Sequence, residues 1–371
     1  MGQRAVPAVV MRGGTSRGVF FHERDLPADK TAWDPIFVEA IGAPDRLQAD
    51  GLGGTYSSTS KVMVVAPSER LGIDVEYHFG QVGLAEPEVY YDGNCGSLAA
   101  AVAAFGVEEG LVAATDPITH LRLFNRNTRV VIDAAVPVCS GHVEIDGDLT
   151  IPGVSRPGAP VVTSYPDVGG TITGALLPTG EVRELVGVPG LGAVEVSIVD
   201  ASCVTVYVDS RVLGGPGLDP MTFNGDPRAL ELAEALRGAC AVRLGLASDP
   251  ATAARRSKQQ PKLTLCGAVE GDVPDGPSLR VWTFSMQRMH TAFPVTGLLC
   301  TAVAATVPGT IPHALRRDRT QDLARLGTPS GPIDVEATVR PDDDGAQRVD
   351  VAISQSVRRI MQGEILVRAA P

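Results

Sequence analysis

Two stretches of this sequence are apolar nearly all the way round a helix, and that property limits the folds open to the chain. They read CGSLAAAVAAFG (residues 95–106) and TGLLCTAVAATVPG (residues 296–309), and are built mainly of Ala, Val, Leu and Gly. A helix without a polar face must be enclosed by protein. Much of the remaining chain reads as strands: residues 6–11, 60–67, 73–83, 120–136, 193–210, 261–269, 279–286, 332–340 and 348–354 are β-branched, partly alternating and bounded by Gly, Pro, Asp or Asn. A sheet curved about each buried helix is the simplest enclosure. The helices lie a little over half the chain apart, which implies two similar halves of an α+β fold. Division falls in the Pro/Gly-rich segment 151–180, giving domains 1–180 and 181–371, with the C-terminal strand free to pack back on the first domain. The clearest amphipathic helix spans about 226–246, opened by Asp226 and Pro227 as N-cap and first residue.

Composition narrows the function classes. With 44% apolar and 20% charged residues the chain has a substantial core, and 41 glycines and 28 prolines favour short strands and tight turns. A formal net charge of −11 without basic runs argues against nucleic acid as a partner. It leaves room for a small acidic substrate if cations are concentrated in its pocket. No apolar run is long enough to span a membrane and no secretory leader is visible at the start, so the expectation is a cytoplasmic protein. Six scattered cysteines without CxxC pairs read as reduced thiols, and six scattered histidines without HxH or HExxH spacing predict no metal.

Three segments carry the chemistry. MRGGTSRGVFF (residues 11–21) places adjacent glycines before Thr15, Ser16 and Arg17, so that backbone N–H groups can face one anion and Arg17 can grip a carboxylate. An ordinary turn with an exposed arginine is the plain alternative. GLGGTYSSTSKVMVV (residues 51–65) is a Gly/Ser/Thr loop running through Ser60 and Lys61 into an apolar strand. Only four of the 32 Lys and Arg residues are lysine. Arg does not lose its proton in a protein whereas Lys can, so Lys61 suits proton transfer. YYDGNCGSLAAAVAAFG (residues 90–106) sets Cys95 at the first turn of a buried helix, with Asn94 as the expected N-cap and Gly96 and Ser97 offering N–H groups to a carboxylate. Helix N-termini lower thiol pKa, which suits Cys95 to proton exchange; a small buried hydrophobe is the alternative. Cys300 lies deeper in the matching helix, where packing is at least as good a reading. His290 precedes that helix and could line the same cleft or be structural.

Taken together, MRGGTSRGVFF, SSTSK, DGNCGS, HTAFPVTGLLCTAVAATVPGT and TPSG (residues 328–331) resemble the PrpF family, which includes methylaconitate and methylitaconate isomerases and oxalomesaconate tautomerases. The resemblance runs from about Met11 to the VRRIMQG segment (residues 357–363). It implies a diaminopimelate epimerase-like fold of two domains, each a curved β-sheet on a central apolar helix, with the site in the cleft between them. It also implies Lys61 and Cys95 as acid/base residues, with Thr15, Ser16, Arg17, Ser60, Asn94, Gly96, Ser97, His290, Thr296, Gly297, Cys300, Ser330 and Gly331 as substrate contacts. Ser97, Arg17 and Thr328 stand where the family commonly has Asn, Lys and His, and SVRR (residues 356–359) replaces TARR. These departures leave the particular acid open. The expected reaction is a 1,3-allylic proton shift on a small unsaturated di- or tricarboxylic acid, with no cofactor, in a homodimer. A two-cysteine racemase or epimerase using Cys95 and Cys300, and a non-catalytic acid-binding accessory protein, are the alternatives.

Overall fold

The computed structural model describes residues 2–368 except 85, 92, 216, 272–275, 320 and 342–346. The chain forms two compact units, residues 1–164 with 354–371, and residues 165–353. The sequence reading placed the division at residue 180; instead the segment 151–180 contributes a strand, Val161–Tyr165, that pairs with Val131–Cys139. From Ser354 the chain rejoins the first unit, and its last strand, Val357–Arg368, runs antiparallel to Gln3–Gly13.

In the first unit Gln3–Gly13 pairs antiparallel with Ser16–His22, which lies parallel to Lys61–Pro67. Val75–Val82 follows antiparallel, Ile118–Asn125 lies parallel to it, and Val131–Cys139 closes antiparallel. The helix Gly96–Glu108 packs against these strands and is buried from Gly96 to Val107. Its lack of a polar face is thus explained by enclosure, as its sequence requires. On the opposite face, Phe37 and Ile41 of the helix Trp33–Ile41 meet Val19, Phe21, Val62 and Val64. Both faces of the KVMVV run are therefore covered, which is why it is continuously apolar rather than alternating.

The second unit repeats this plan. Glu184–Val188, Gly192–Asp200 and Val204–Asp209 pair antiparallel in turn, and Lys262–Gly267 lies parallel to the third. Leu279–Ser285 follows antiparallel, Leu323–Thr328 parallel to it, then Gly331–Pro341 and Gln347–Gln355 antiparallel. Its buried helix is Val295–Thr306, and the helix Pro227–Arg243 covers the other face through Ala233, Leu236 and Cys240. Asp226 caps that helix, accepting from the Arg228 N–H, as its sequence indicates. Among the described residues, eight principal strands in one order and polarity enclose one helix in each unit, and the two-residue strands Val89–Tyr90, His142–Val143 and Arg288–Met289 are additional.

Two segments expected as single strands are hairpins. Residues 120–136 divide into Ile118–Asn125 and Val131–Cys139 around Arg129 at φ +61°, and residues 193–210 divide around Ser202 at φ +65°. Neither turn contains a glycine to announce it. Among the described residues no helix is long and apolar enough to cross a membrane.

Candidate active site

Lys61 is the first residue of its strand, in register with Gly18 on one side and Gln81 on the other. Its Nζ donates to Gln81 Oε1 at 2.6 Å and stands 5.1 Å from the Phe79 ring centroid. Gln81 is fixed in turn, its Nε2 donating to the carbonyls of Ser60 at 2.9 Å and Ser57 at 3.1 Å. That donation leaves the amide oxygen turned to the lysine. Gln81 was not among the residues expected from sequence; only its cross-strand place opposite Lys61 reveals it. Ser60 is buried, and its hydroxyl bonds Gln48 Oε1 and the Tyr56 carbonyl, both at 2.9 Å. Its side chain holds the loop that delivers Lys61.

Cys95 itself is the N-cap of the buried helix, with extended dihedrals and no side-chain capping bond. Asn94, expected in that place, lies one residue earlier, and its Oδ1 accepts from Tyr77 OH at 3.0 Å. Asp92 of the DGNCGS motif lies outside the described residues. Cys95 is 8% exposed, and its thiol reaches Ser16 Oγ at 3.6 Å. Ser16 is two residues from Gly18, the register partner of Lys61. One short strand end thus joins the thiol and the amine.

The Gly13–Gly14 turn lies directly on the first turn of this helix. A Cβ on Gly13 would stand 2.1 Å from the Ser97 carbonyl oxygen, and one on Gly14 would stand 1.9 Å from Gln355 Oε1. Gly14 also has φ +49°, which glycine adopts without strain. Arg12 clamps the turn from outside, donating to Ser356 O at 2.9 Å and Gly14 O at 3.1 Å. Thr15 is half-buried at the tip of this hairpin. Arg17 is placed otherwise than the motif suggests: its Nη2 donates to the carbonyls of Leu52 at 3.1 Å and Gly53 at 3.2 Å, tying down the glycine loop before Lys61.

In the second unit the helix cap is Pro294, and Thr296 and Gly297 form the first turn. Cys300 is fully enclosed one turn further on, its thiol directed at the Val199 carbonyl at 3.5 Å, and burial pushes its pKa well up. A thiol so placed is a packing group, which weakens the two-cysteine reading. His290 Nδ1 accepts from the Ala292 N–H at 3.1 Å. Ser330 Oγ donates to the Thr291 carbonyl at 3.0 Å, and Gly331 follows at φ +133°.

Residues 3–368 match the PrpF protein family. The chain belongs to that family. It is 34% identical to 3-methylitaconate isomerase of Eubacterium barkeri over 99% of this chain and 98% of that protein. It is 36% identical to 4-oxalomesaconate tautomerase of Pseudomonas putida over 91% of each chain. Its structure is similar to the crystal structure of methylitaconate-delta-isomerase, with a TM-score of 0.81 at 34% identity over 99% of this chain and 96% of that one. The diaminopimelate epimerase-like fold expected from sequence is the fold of this PrpF chain.

Proposed function

We propose that this PrpF protein is an isomerase that moves a proton across an allylic system in a small unsaturated di- or tricarboxylic acid, with Lys61 and Cys95 as the two proton-transfer groups. The observation that carries this reading is their convergence on the Ser16–Gly18 strand end: Cys95 reaches Ser16, and Lys61 is paired with Gly18. The names of the two relatives support the reaction class.

The chemistry needs a base at one end of the allyl unit and an acid at the other. Removal of a proton from carbon beside a carboxylate leaves a dienolate, and delivery of a proton to the far carbon completes the shift. The double bond moves and nothing else is gained or lost. Each positioned group contributes about 10²–10⁴-fold. Because the reaction is reversible, the group that is base in one direction is acid in the other. The first N–H groups of the Gly96–Glu108 helix, which have no partner within the helix and no side-chain cap from Cys95, face the charge that builds on the carboxylate. Thr15, Asn94, Gly96 and Ser97 bound that end, while Ser16, Ser60, Arg17 and Gln81 hold the two reacting side chains and their loop. His290, Thr296, Gly297, Ser330 and Gly331 enter the proposal as substrate contacts on the family resemblance.

None of the six cysteines is in a disulfide, which supports a reducing, cytoplasmic setting. A homodimer is part of the same proposal and is read by light scattering. The test of the reaction is incubation of purified protein with unsaturated di- and tricarboxylates in D₂O, followed by NMR. Deuterium appears at the allylic carbon of at least one acid. Absence of exchange across the whole panel sinks the isomerase reading, and binding without exchange favours the accessory-protein alternative.

A further inference from the structure

Asn127 lies in the turn between Ile118–Asn125 and Val131–Cys139, outside the motifs that carry the chemistry. Its side-chain amide is spent on backbone. Oδ1 accepts from the Phe79 N–H at 2.8 Å, and Nδ2 donates to the carbonyls of Phe79 at 2.8 Å and Tyr91 at 2.9 Å. An Asn amide has two donor hydrogens, so none is left over for a ligand. Strand register explains the arrangement. Val75–Val82 pairs in parallel with Ile118–Asn125 only as far as Tyr77 and Asn125. Phe79, two residues on, has no strand on that side, and buried peptide groups need partners. The Asn127 amide supplies them in place of a strand's own N–H and C=O.

Its two partners belong to the two halves of the candidate site. Phe79 is buried, its ring centroid 5.1 Å from Lys61 Nζ, and Gln81, which holds that ammonium, follows on the same strand. Tyr91 is four residues before Cys95, and from Tyr91 to this cap the described residues are neither strand nor helix. Side chains hold that lead-in: Asn127 takes the Tyr91 carbonyl, Tyr91 OH donates to Asp34 Oδ1 at 2.5 Å, and Tyr77 OH donates to Asn94 Oδ1 at 3.0 Å. Asn127 thus bonds both the peptide beneath Lys61 and the chain leading to Cys95.

The turn that carries it is rigid. Asn125, fully buried, turns its Oδ1 onto the N–H groups of Asn127 at 2.8 Å and Thr128 at 3.3 Å. Arg126 anchors the turn through Glu23 at 2.7 Å and Glu76 at 2.5 Å. The second unit uses the same place in the same way. Its matching turn, between Leu323–Thr328 and Gly331–Pro341, sends Ser330 Oγ to the Thr291 carbonyl at 3.0 Å, three residues before the Pro294 cap. A turn side chain that holds the carbonyl leading into the enclosed helix is a repeated device of this fold.

We propose that Asn127 is a positioning residue, fixing Lys61 and Cys95 relative to one another for proton transfer. The inference rests on the reading of those two side chains as the proton-transfer pair. The test uses Asn127→Asp, which keeps the acceptor and loses both donors. In the D₂O exchange assay its kcat falls about 10–100-fold, as a displacement of about 1 Å would produce, while KM stays within about threefold. Made in a Cys95→Ala background, the same change costs only about threefold or less, because the thiol it positions is gone. In the ligand-free protein, iodoacetamide labelling read by peptide mass spectrometry modifies Cys95 about fivefold faster than in wild type, with the exposed Cys139 as internal reference. Thr119→Val, which removes a hydroxyl bonded to Thr115 at the far end of the same hairpin, changes neither readout. An Asn127→Asp protein that exchanges like wild type, loses only in KM, costs as much without Cys95 as with it, or labels at the wild-type rate overturns the proposal. Should wild type exchange no acid, the isomerase reading fails, and labelling alone decides whether Asn127 fixes Cys95. If Asn127→Asp does not fold, Asn127→Ser, whose hydroxyl can keep one of the three bonds, is read in its place with the same expectations. If neither folds, the residue is structural and the proposal fails.

Discussion

The two units enclose their helices in the same way and finish them differently. In the first, the cap is Cys95, a buried residue at a helix start set against a diglycine turn. In the second, the cap is Pro294, and the thiols have moved: Cys300 is one turn into the helix, and Cys203 is on the hairpin where the first unit has Ser16. Lysine opens the matching strand in both, as Lys61 and Lys262. One scaffold therefore presents a capping thiol with an amine at one helix end, and an amine with hydroxyls and the fully buried Cys203 thiol at the other. The contrast teaches that the fold supplies an anion-facing helix end twice, while the placement of sulfur decides which end can exchange protons.

The sharpest way to break this contrast is to remove the proton-transfer groups of the first unit. Lys61→Met and Cys95→Ala should each lower kcat for the exchange reaction by about 10²–10⁴-fold, with the double variant far less than additive because both act in one step. Exchange rates by NMR read the outcome. A loss confined to KM would reduce either residue to a binding role.

Next in size is the turn that carries them. Gly13→Ala drives a methyl to within 2.1 Å of the Ser97 carbonyl, a backbone atom that cannot swing aside. Overpacking of this kind costs about 1–3 kcal/mol, and here the displaced element is the helix start that bears Cys95. Urea unfolding should show the full cost, with activity falling further than stability. The second unit has Ala201 at the corresponding place, fully buried, so its turn already accommodates a methyl. Ala201→Gly should cost about 0.5–1 kcal/mol through added freedom of the unfolded chain. Equal effects at the two turns would erase the distinction drawn between them.

How far such contrasts can be read without coordinates depends on whether the cause is local. The two enclosed helices are visible because a surface of Ala, Val and Leu has only one stable environment. Lys61 and Cys95 stand out because a rare residue type and a helix start are both local features. The last strand, VRRIMQGEILVR, is legible only as a C-terminal strand that packs back on the first domain; its partner and register are not, because most of its side chains are exposed and Arg358, Arg359 and Glu364 interrupt any alternation. Arg17 misleads for a similar reason. Its motif suits a carboxylate, but the carbonyls of Leu52 and Gly53 come within reach only in the fold. Asn94 has the right chemistry for a cap and lost the place to its neighbour because Tyr77, distant in sequence, takes its side-chain oxygen. Lys262 is matched to Lys61 only through strand register, which no spacing rule supplies.

A smaller effect separates the isomerase from the two-cysteine reading. Cys300→Ala removes a thiol that bonds only within the core, so exchange rates should stay within about threefold of wild type while stability falls by about 1 kcal/mol. A loss comparable to that of Cys95→Ala would instead mean that the deeper thiol takes part in the chemistry, and the asymmetry between the helix ends would have no functional content.

The finest prediction concerns pH. The Cys203 thiol is drawn down to about 7, first by its hydrogen bond with Cys300 and then by the Lys262 ammonium, against the opposing effect of burial. An unfolded cysteine titrates near 8.5. Between these values the unfolded chain holds a proton that the folded one has released, so unfolding free energy rises with pH across that window. The contribution is complete above the unfolded pKa and disappears as pH falls through about 7. Cys203→Ser should flatten this rise in melting temperature between pH 7 and 8.5. Lys262→Met should reduce it without abolishing it, because the Cys300 bond remains. Cys95→Ala leaves the rise untouched, since the thiol responsible belongs to the other helix end. If Cys95→Ala flattened the slope and Cys203→Ser did not, the ionising thiol of this protein would lie in the first unit, and the division of labour between amine and sulfur would have to be redrawn.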